Sequence, residues 1–390
     1  MSRILVWFVI VFAGFSSACS QAPDSYDPRA RVSTDPGSRI PDHISEIVGP
    51  APEIHVYDGA LEPRRVYRIE ANPEAGFHWP YFLLLPDTVD PGSAVLVEPN
   101  NDGLWGAPFE THEYWAAIRN EQLFVDFGRH LGTPMLTPVF PRPLVEGDDG
   151  NLYIHALTRP AMTHWDERYA RPDLQMLAML DDAQAKLLFN GYQLSNDALF
   201  WGFSAAADFV TRMTVLHPER VRAVVAGGVG GLPILPVETY KGTSLTYPVG
   251  VADLEDISGR TLNGAALRET PFLLFQGSID ENDSVVEPPF TCENFGSDSY
   301  DCDQAIWVNE TLGSSTIARL PEVSAIYTEL GMEDFNSIIL PGIDHWTPES
   351  MEATIRDYFA CVLANETDCA RGATVPDLTE ALAEQAARGD

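Results

Sequence analysis

Positive charge is scarce in this sequence: 24 Lys and Arg stand against 57 Asp and Glu, a formal net charge of −33 at pH 7. That balance repels phosphate backbones and anionic headgroups, which argues against nucleic acid as a partner. No acidic block is long enough to form a tail, so the carboxylates read as a solvated surface. Cysteine is also sparse, five in all, and the spacing fits no zinc knuckle. No His-x-x-x-His or carboxylate–histidine cluster suggests a metal. No repeat period appears, which sets solenoids aside. The apolar run Ile4–Phe15 falls short of the roughly 20 residues that a spanning helix needs.

That same run carries an address. Arg3 precedes it, and Ser16, Ser17, Ala18 and Cys19 follow, so residues 1–19 form an export signal. The stretch resembles a bacterial lipoprotein signal, although Ser16 stands where an aliphatic residue is usual. The resemblance implies a lipidated Cys19 and a periplasmic or cell-surface protein that meets the membrane only through this anchor; ordinary secretion is the alternative. Residues 20–52, rich in Pro, Asp and Ser, read as a flexible tether. Four cysteines remain, Cys292, Cys302, Cys361 and Cys369, in two close pairs. An oxidising compartment favours disulfides Cys292–Cys302 and Cys361–Cys369, although four cysteines allow three pairings.

From residue 53 to 375 apolar strands alternate with amphipathic helices. Strands are expected at Val66–Ile69 and Tyr81–Leu85 (an antiparallel pair), Ala94–Val97, Met135–Phe140, Ala198–Phe203, Val221–Ala226, Phe272–Phe275 and Ser337–Leu340. Helices are expected at Tyr114–His130, Leu174–Tyr192, Ala205–Leu216 and Met351–Asn365. This alternation predicts an α/β domain, a mostly parallel central sheet with helices on both faces. Gly227–Arg268 and Asp283–Asn309 read as irregular insertions, the first a candidate cap, and residues 376–390 as a C-terminal tail.

In such a sheet, ligands gather beyond the C-terminal strand ends. Three reactive side chains are expected there, in the order Ser204, Asp280, His345. A serine hydroxyl becomes a nucleophile only when a base takes its proton. An imidazole titrates in the right range, and a carboxylate can fix its tautomer. Gly202 and the small Ala205 and Ala206 suit a sharp turn at Ser204. Bland readings stand beside this one. Ser204 can be an ordinary helix N-cap. Glu281 and Asp283 rival Asp280, and Asp344 can cap its own loop. His217 reads as packed at a helix end, and His112, beside Glu113 and Trp115, as lying on a polar face or lining the pocket mouth. His155 and His164 lie in a loop that can wall the site. Trp105 and Trp346 can shape an acyl pocket or belong to the core.

The stretches Val95–Asn101, Met135–Pro143, Asp173–Gln184, Leu199–Gly231, Phe275–Val285 and Leu340–Trp346 resemble the α/β-hydrolase superfamily. Within it they resemble an esterase group akin to polyhydroxybutyrate-depolymerase-like proteins. The Ser204 elbow reads Gly-x-Ser-x-Ala where Gly-x-Ser-x-Gly is usual. The resemblance implies an α/β-hydrolase fold with short cap insertions, and a catalytic triad of Ser204, Asp280 and His345. It also implies an oxyanion hole from the N–H of Ala205 and that of Asn100 or Asn101. The reaction implied is cleavage of a small or polymeric carboxylic ester through an acyl-enzyme, without a cofactor. A serine peptidase on the same fold and a non-catalytic surface-binding protein remain alternatives.

Overall fold

The computed structural model describes residues 52–102, 105–143, 152–293, 295–297 and 299–388. The expected export signal, with Cys19, and the expected tether up to residue 51 lie outside these residues. Nine strands form one sheet: β1 (Ile54–Val56), β2 (Val66–Ile69), β3 (Tyr81–Leu84), β4 (Val95–Val97), β5 (Met135–Pro138), β6 (Ala198–Phe203), β7 (Val221–Gly227), β8 (Phe272–Gly277) and β9 (Phe335–Leu340). Their spatial order is β1-β2-β3-β5-β4-β6-β7-β8-β9. β3 runs antiparallel to β2 and to β5, and every other pairing is parallel. Val95–Val97, Ala198–Phe200 and Ala223–Ala226 are wholly apolar and fully buried. A parallel sheet covered on both faces leaves no wet side, so these strands show no polar alternation.

The principal helices are α1 (Phe109–Leu123), α2 (Pro172–Phe189), α3 (Ala205–Leu216), α4 (Cys302–Thr311), α5 (Thr316–Glu329), α6 (Glu349–Leu363) and α7 (Thr379–Arg388). α6 packs against the turn that follows α1, where Arg356 Nη1 donates to Asp126 O at 3.0 Å. α2 and α3 meet where His217 and Arg171 reach the Asp173 carboxylate. Burial alone would raise the Asp173 pKa, but those hydrogen bonds hold it below the ordinary value. This is the α/β-hydrolase fold that the sequence resemblance implied.

β6 and α3 have the expected bounds, and β2 and β3 pair antiparallel as expected. Other elements differ. α1 begins at Phe109 rather than Tyr114 and gives way at Phe124 to a π-turn. His112 and Glu113 interrupt its apolar pattern, yet both are buried, with Glu113 paired to Arg68. The Asp283–Asn309 insertion ends in a helix, opening α4 with a capping box between Asp301 and Gln304. Gly227–Arg268 holds a hairpin (Thr239–Tyr240 with Thr243–Ser244) and short helices Leu254–Ser258 and Gly264–Glu269. Tyr247 ties it down by donating to Leu157 O. Residues 376–390, read as a tail, contain α7, whose Ala381 and Gln385 are buried. Cys292–Cys302 and Cys361–Cys369 are disulfides, with Cα separations of 5.5 and 5.7 Å. Among the described residues no helix is long and apolar enough to cross a membrane.

Candidate active site

β6 ends at Phe203 and α3 begins at Ala205, so Ser204 alone makes the turn. It does so at φ 59°, ψ −128°, in the left-handed half of the backbone map. A non-glycine residue there costs on the order of 1–3 kcal/mol, which the surroundings must offset. They do so by fixing both flanks. Ser204 N–H donates to Gly227 O at 2.9 Å, tying the turn to β7. A Cβ on Gly202 would fall on the Ala206 carbonyl, so only glycine lets the strand and helix close so tightly. Ser204 occupies the N-cap position, yet its side chain makes no capping hydrogen bond. The hydroxyl is not spent on the helix.

β8 leads through Ser278 and Ile279 to Asp280, which is buried. Its Oδ2 accepts from His345 Nδ1 and from Gln276 Nε2, each at 2.8 Å, and its Oδ1 accepts from the Asn282 N–H at 2.9 Å. β9 leads to His345 through Gly342–Asp344. The two loops are laced together: Gly342 N–H donates to Ser278 Oγ at 2.8 Å and Ile279 N–H to Ile343 O at 3.2 Å. Gly277 is required by this approach, because a Cβ there would fall on the carbonyls of Ile343 and Asp344.

The His345 ring lies against Phe203, the residue before Ser204, with centroids 4.7 Å apart. With Nδ1–H donated to Asp280, Nε2 is left as an acceptor. Its partner here is Asn282 Nδ2 at 2.8 Å, and the same amide nitrogen lies 3.4 Å from Ser204 Oγ. Asn282 therefore bridges the serine and the histidine, which make no direct hydrogen bond.

The loop after β4 reaches the same place. Asn101 Nδ2 donates to Phe203 O at 2.6 Å. Asn100 is buried and locked to Phe140, giving Nδ2–H to its carbonyl at 3.1 Å and accepting its N–H at 3.0 Å. The backbone N–H groups of Ala205, Asn100 and Asn101 find no acceptor among the described residues. Beneath this loop His112 accepts from Arg142 N–H and donates to Asp102 O, while His155 donates to Phe140 O at 2.7 Å. These buried histidines hold the loop's base: His112 is not on a polar face, and His155 does not wall an open site.

The other candidates fall elsewhere. The Asp283 carboxylate is taken by Arg319, at 2.7 and 2.9 Å. Burial raises the Asp283 pKa, with Arg319 opposing. Glu281 is exposed. His217 is buried against Asp173 at 2.8 Å. His164 accepts from Asp166 N–H at 3.1 Å. Trp346 is buried and hydrogen-bonded to Gln385, whereas Trp105 is 48% exposed. Gln276, Asn282, Arg319 and Gln385 were not among the sequence candidates; only the fold brings them here. Among the described residues no group of His, Cys, Asp and Glu could hold a metal ion.

No family model matches the chain, and no curated protein matches it. Solved structures do. A poly(aspartic acid) hydrolase from Sphingomonas sp. KT-1 is 17% identical over 76% of this chain and 97% of its own, with a TM-score of 0.48. A poly(3-hydroxybutyrate) depolymerase from Bordetella parapertussis is 15% identical over 79% and 88%, with a TM-score of 0.47. An arylesterase is 12% identical over 83% and 90%, with a TM-score of 0.41. At such identities the chemistry of this chain has to come from its own residues.

Proposed function

We propose that the chain is an exported serine hydrolase that cleaves carboxylic esters through an acyl-enzyme. One observation carries the reading. A serine hydroxyl not spent on its helix, held at φ 59°, stands beside an imidazole whose Nδ1 is already bonded to a buried carboxylate. Structural serines and histidines have no need of that combination.

In this reading Ser204 attacks the ester carbonyl while His345 Nε2 takes its proton. Asp280 fixes the tautomer and stabilises the imidazolium, and Gln276 and the Asn282 N–H orient Asp280. The Ala205 N–H and that of Asn100 or Asn101 receive the oxyanion. Losing one such donor costs about 2.7–4 kcal/mol of transition-state stabilisation. His345 returns the proton to the leaving alcohol, and water, activated by the same base, releases the acid. The Asn282 amide has to leave Nε2 before Ser204 can use it. Such bonds are often incomplete without substrate. The two disulfides suit an exported protein. Attachment through a lipidated Cys19 belongs to the same proposal.

Rapid mixing with p-nitrophenyl acetate tests it. A burst of nitrophenolate equal to the enzyme concentration is expected, with Ser204→Ala losing burst and turnover by at least about 10³-fold. Undiminished turnover in Ser204→Ala would overturn the reading. Cleavage of p-nitroanilides but not of esters would transfer the same machinery to a peptidase.

A further inference from the structure

The loop that carries His345 is gripped from two sides. One side is the end of β8, described above. The other is α7, the last helix of the chain. Leu378, just ahead of it, and Ala381 and Gln385 within it are buried at helical spacing, so they form the face turned toward the domain. Gln385 is 6% exposed, and each of its polar atoms is used. Oε1 accepts from Asp344 N–H at 3.0 Å and from Trp346 Nε1–H at 2.9 Å. Nε2 donates to Gly342 O at 2.9 Å. Asp344 and Trp346 are the neighbours of His345 on either side, so one side-chain amide spans the histidine.

We propose that Gln385, carried on α7, is a positioning residue for His345. The proposal rests on the reading of His345 as the base. Glutamine suits the place because the loop presents two donors and one acceptor, and an amide offers one acceptor oxygen and one donor nitrogen. Leucine would fill the space but remove the hydrogen bonds that Gln385 makes to the Asp344 N–H, the Trp346 Nε1–H and the Gly342 carbonyl. The loop would then shift toward water to satisfy them. His345 has to face Ser204 with Nε2 while holding Asp280 with Nδ1. A displacement of about 1 Å is enough to cost on the order of 100-fold in rate.

The test is inactivation of the full purified protein by a fluorophosphonate, with the saturating rate and the half-saturating concentration measured separately. Gln385→Leu is expected to lower the saturating rate by about 10- to 100-fold and to move the half-saturating concentration by less than about twofold. Gln385→Glu, whose carboxylate still accepts from Asp344 and Trp346, is expected to recover part of the rate. Leu378→Ala loosens the same helix without touching these bonds, so it should lower Tm and leave the rate alone. If Gln385→Leu does not fold, Trp346→Phe removes one of the three bonds and is read in the same way. A wild-type rate in Gln385→Leu, or in Trp346→Phe where that variant replaces it, would overturn the proposal, and so would an equal loss in Leu378→Ala. Wild-type protein that takes no label would instead overturn the assignment of His345 and Ser204.

Discussion

Glu98 and His155, two buried residues at the base of the Asn100 loop, respond to pH in opposite directions. Burial pushes the Glu98 pKa up to about 8, with Arg119 opposing and Asp102 and Asp126 adding to the rise. Burial, and then the neighbouring His112, push His155 down to about 3. Below pH 6.5 the unfolded chain protonates His155 and the folded protein does not, so stability is lost as pH falls from 6.5 toward 3. Above pH 4.5 the unfolded chain ionises Glu98 and the folded protein does not, so stability is lost as pH rises from 4.5 toward 8. Between pH 6.5 and 5.0 each contributes about 1.4 kcal/mol per pH unit, or about 2 kcal/mol in all. Urea unfolding at those two pH values should show the wild type losing about 2 kcal/mol relative to His155→Gln and gaining about 2 kcal/mol relative to Glu98→Gln. Differences of the same sign, or none, would contradict these environments. Ser204, Asp280 and His345 are legible in the sequence because strand ends and chain order confine them to a few positions. Gln276, Asn282 and Gln385 are not, because an amide carries no periodic signal. The partners of Asn282 and Gln385 lie as far as 78 and 43 residues away along the chain.

Among the elements, α5 holds the Asp280–Asp283 loop in place. From it Arg319 reaches the Asp283 carboxylate, the carbonyls of Gly231 and Gly313, and Asn309 Oδ1. Its guanidinium is buried. Arg319→Met would leave Asp283 largely buried without its countercharge, and a loss of about 3–5 kcal/mol is expected in urea unfolding. Asp283→Asn in the same chain should restore part of it, since the uncompensated charge is gone. A single variant within about 1 kcal/mol of wild type would show that the pair carries little. α5 is obscured in the sequence by Pro321, which reads as a helix breaker but sits inside the helix. α4 left a legible mark in Asp301 and Gln304, three apart, within a segment expected only to be an insertion. α7 reads as a polar tail because only a narrow stripe of it is buried.

The alternation of strands and helices was enough to place most of the nine-stranded sheet, because fully buried strands are bounded by plain turn signals. It could not assign β1, a three-residue strand whose residues are half-buried or exposed. The proposed export concerns the whole chain, and the most specific element of that proposal is Cys19. Cells producing the protein and fed an alkyne-tagged fatty acid should yield a labelled, membrane-associated product. Cys19→Ala should abolish both the label and the association. Label retained in that variant would mean that the anchor is elsewhere, and none in the wild type would favour plain secretion. The central claim, that Ser204 is activated by His345, is tested most directly by mass-spectrometric mapping of a fluorophosphonate adduct on the purified protein. A single adduct on Ser204 is expected, absent in Ser204→Ala and formed about 10²–10⁴-fold more slowly in His345→Ala. A folded protein that takes no label, or takes it on another residue, would contradict the claim.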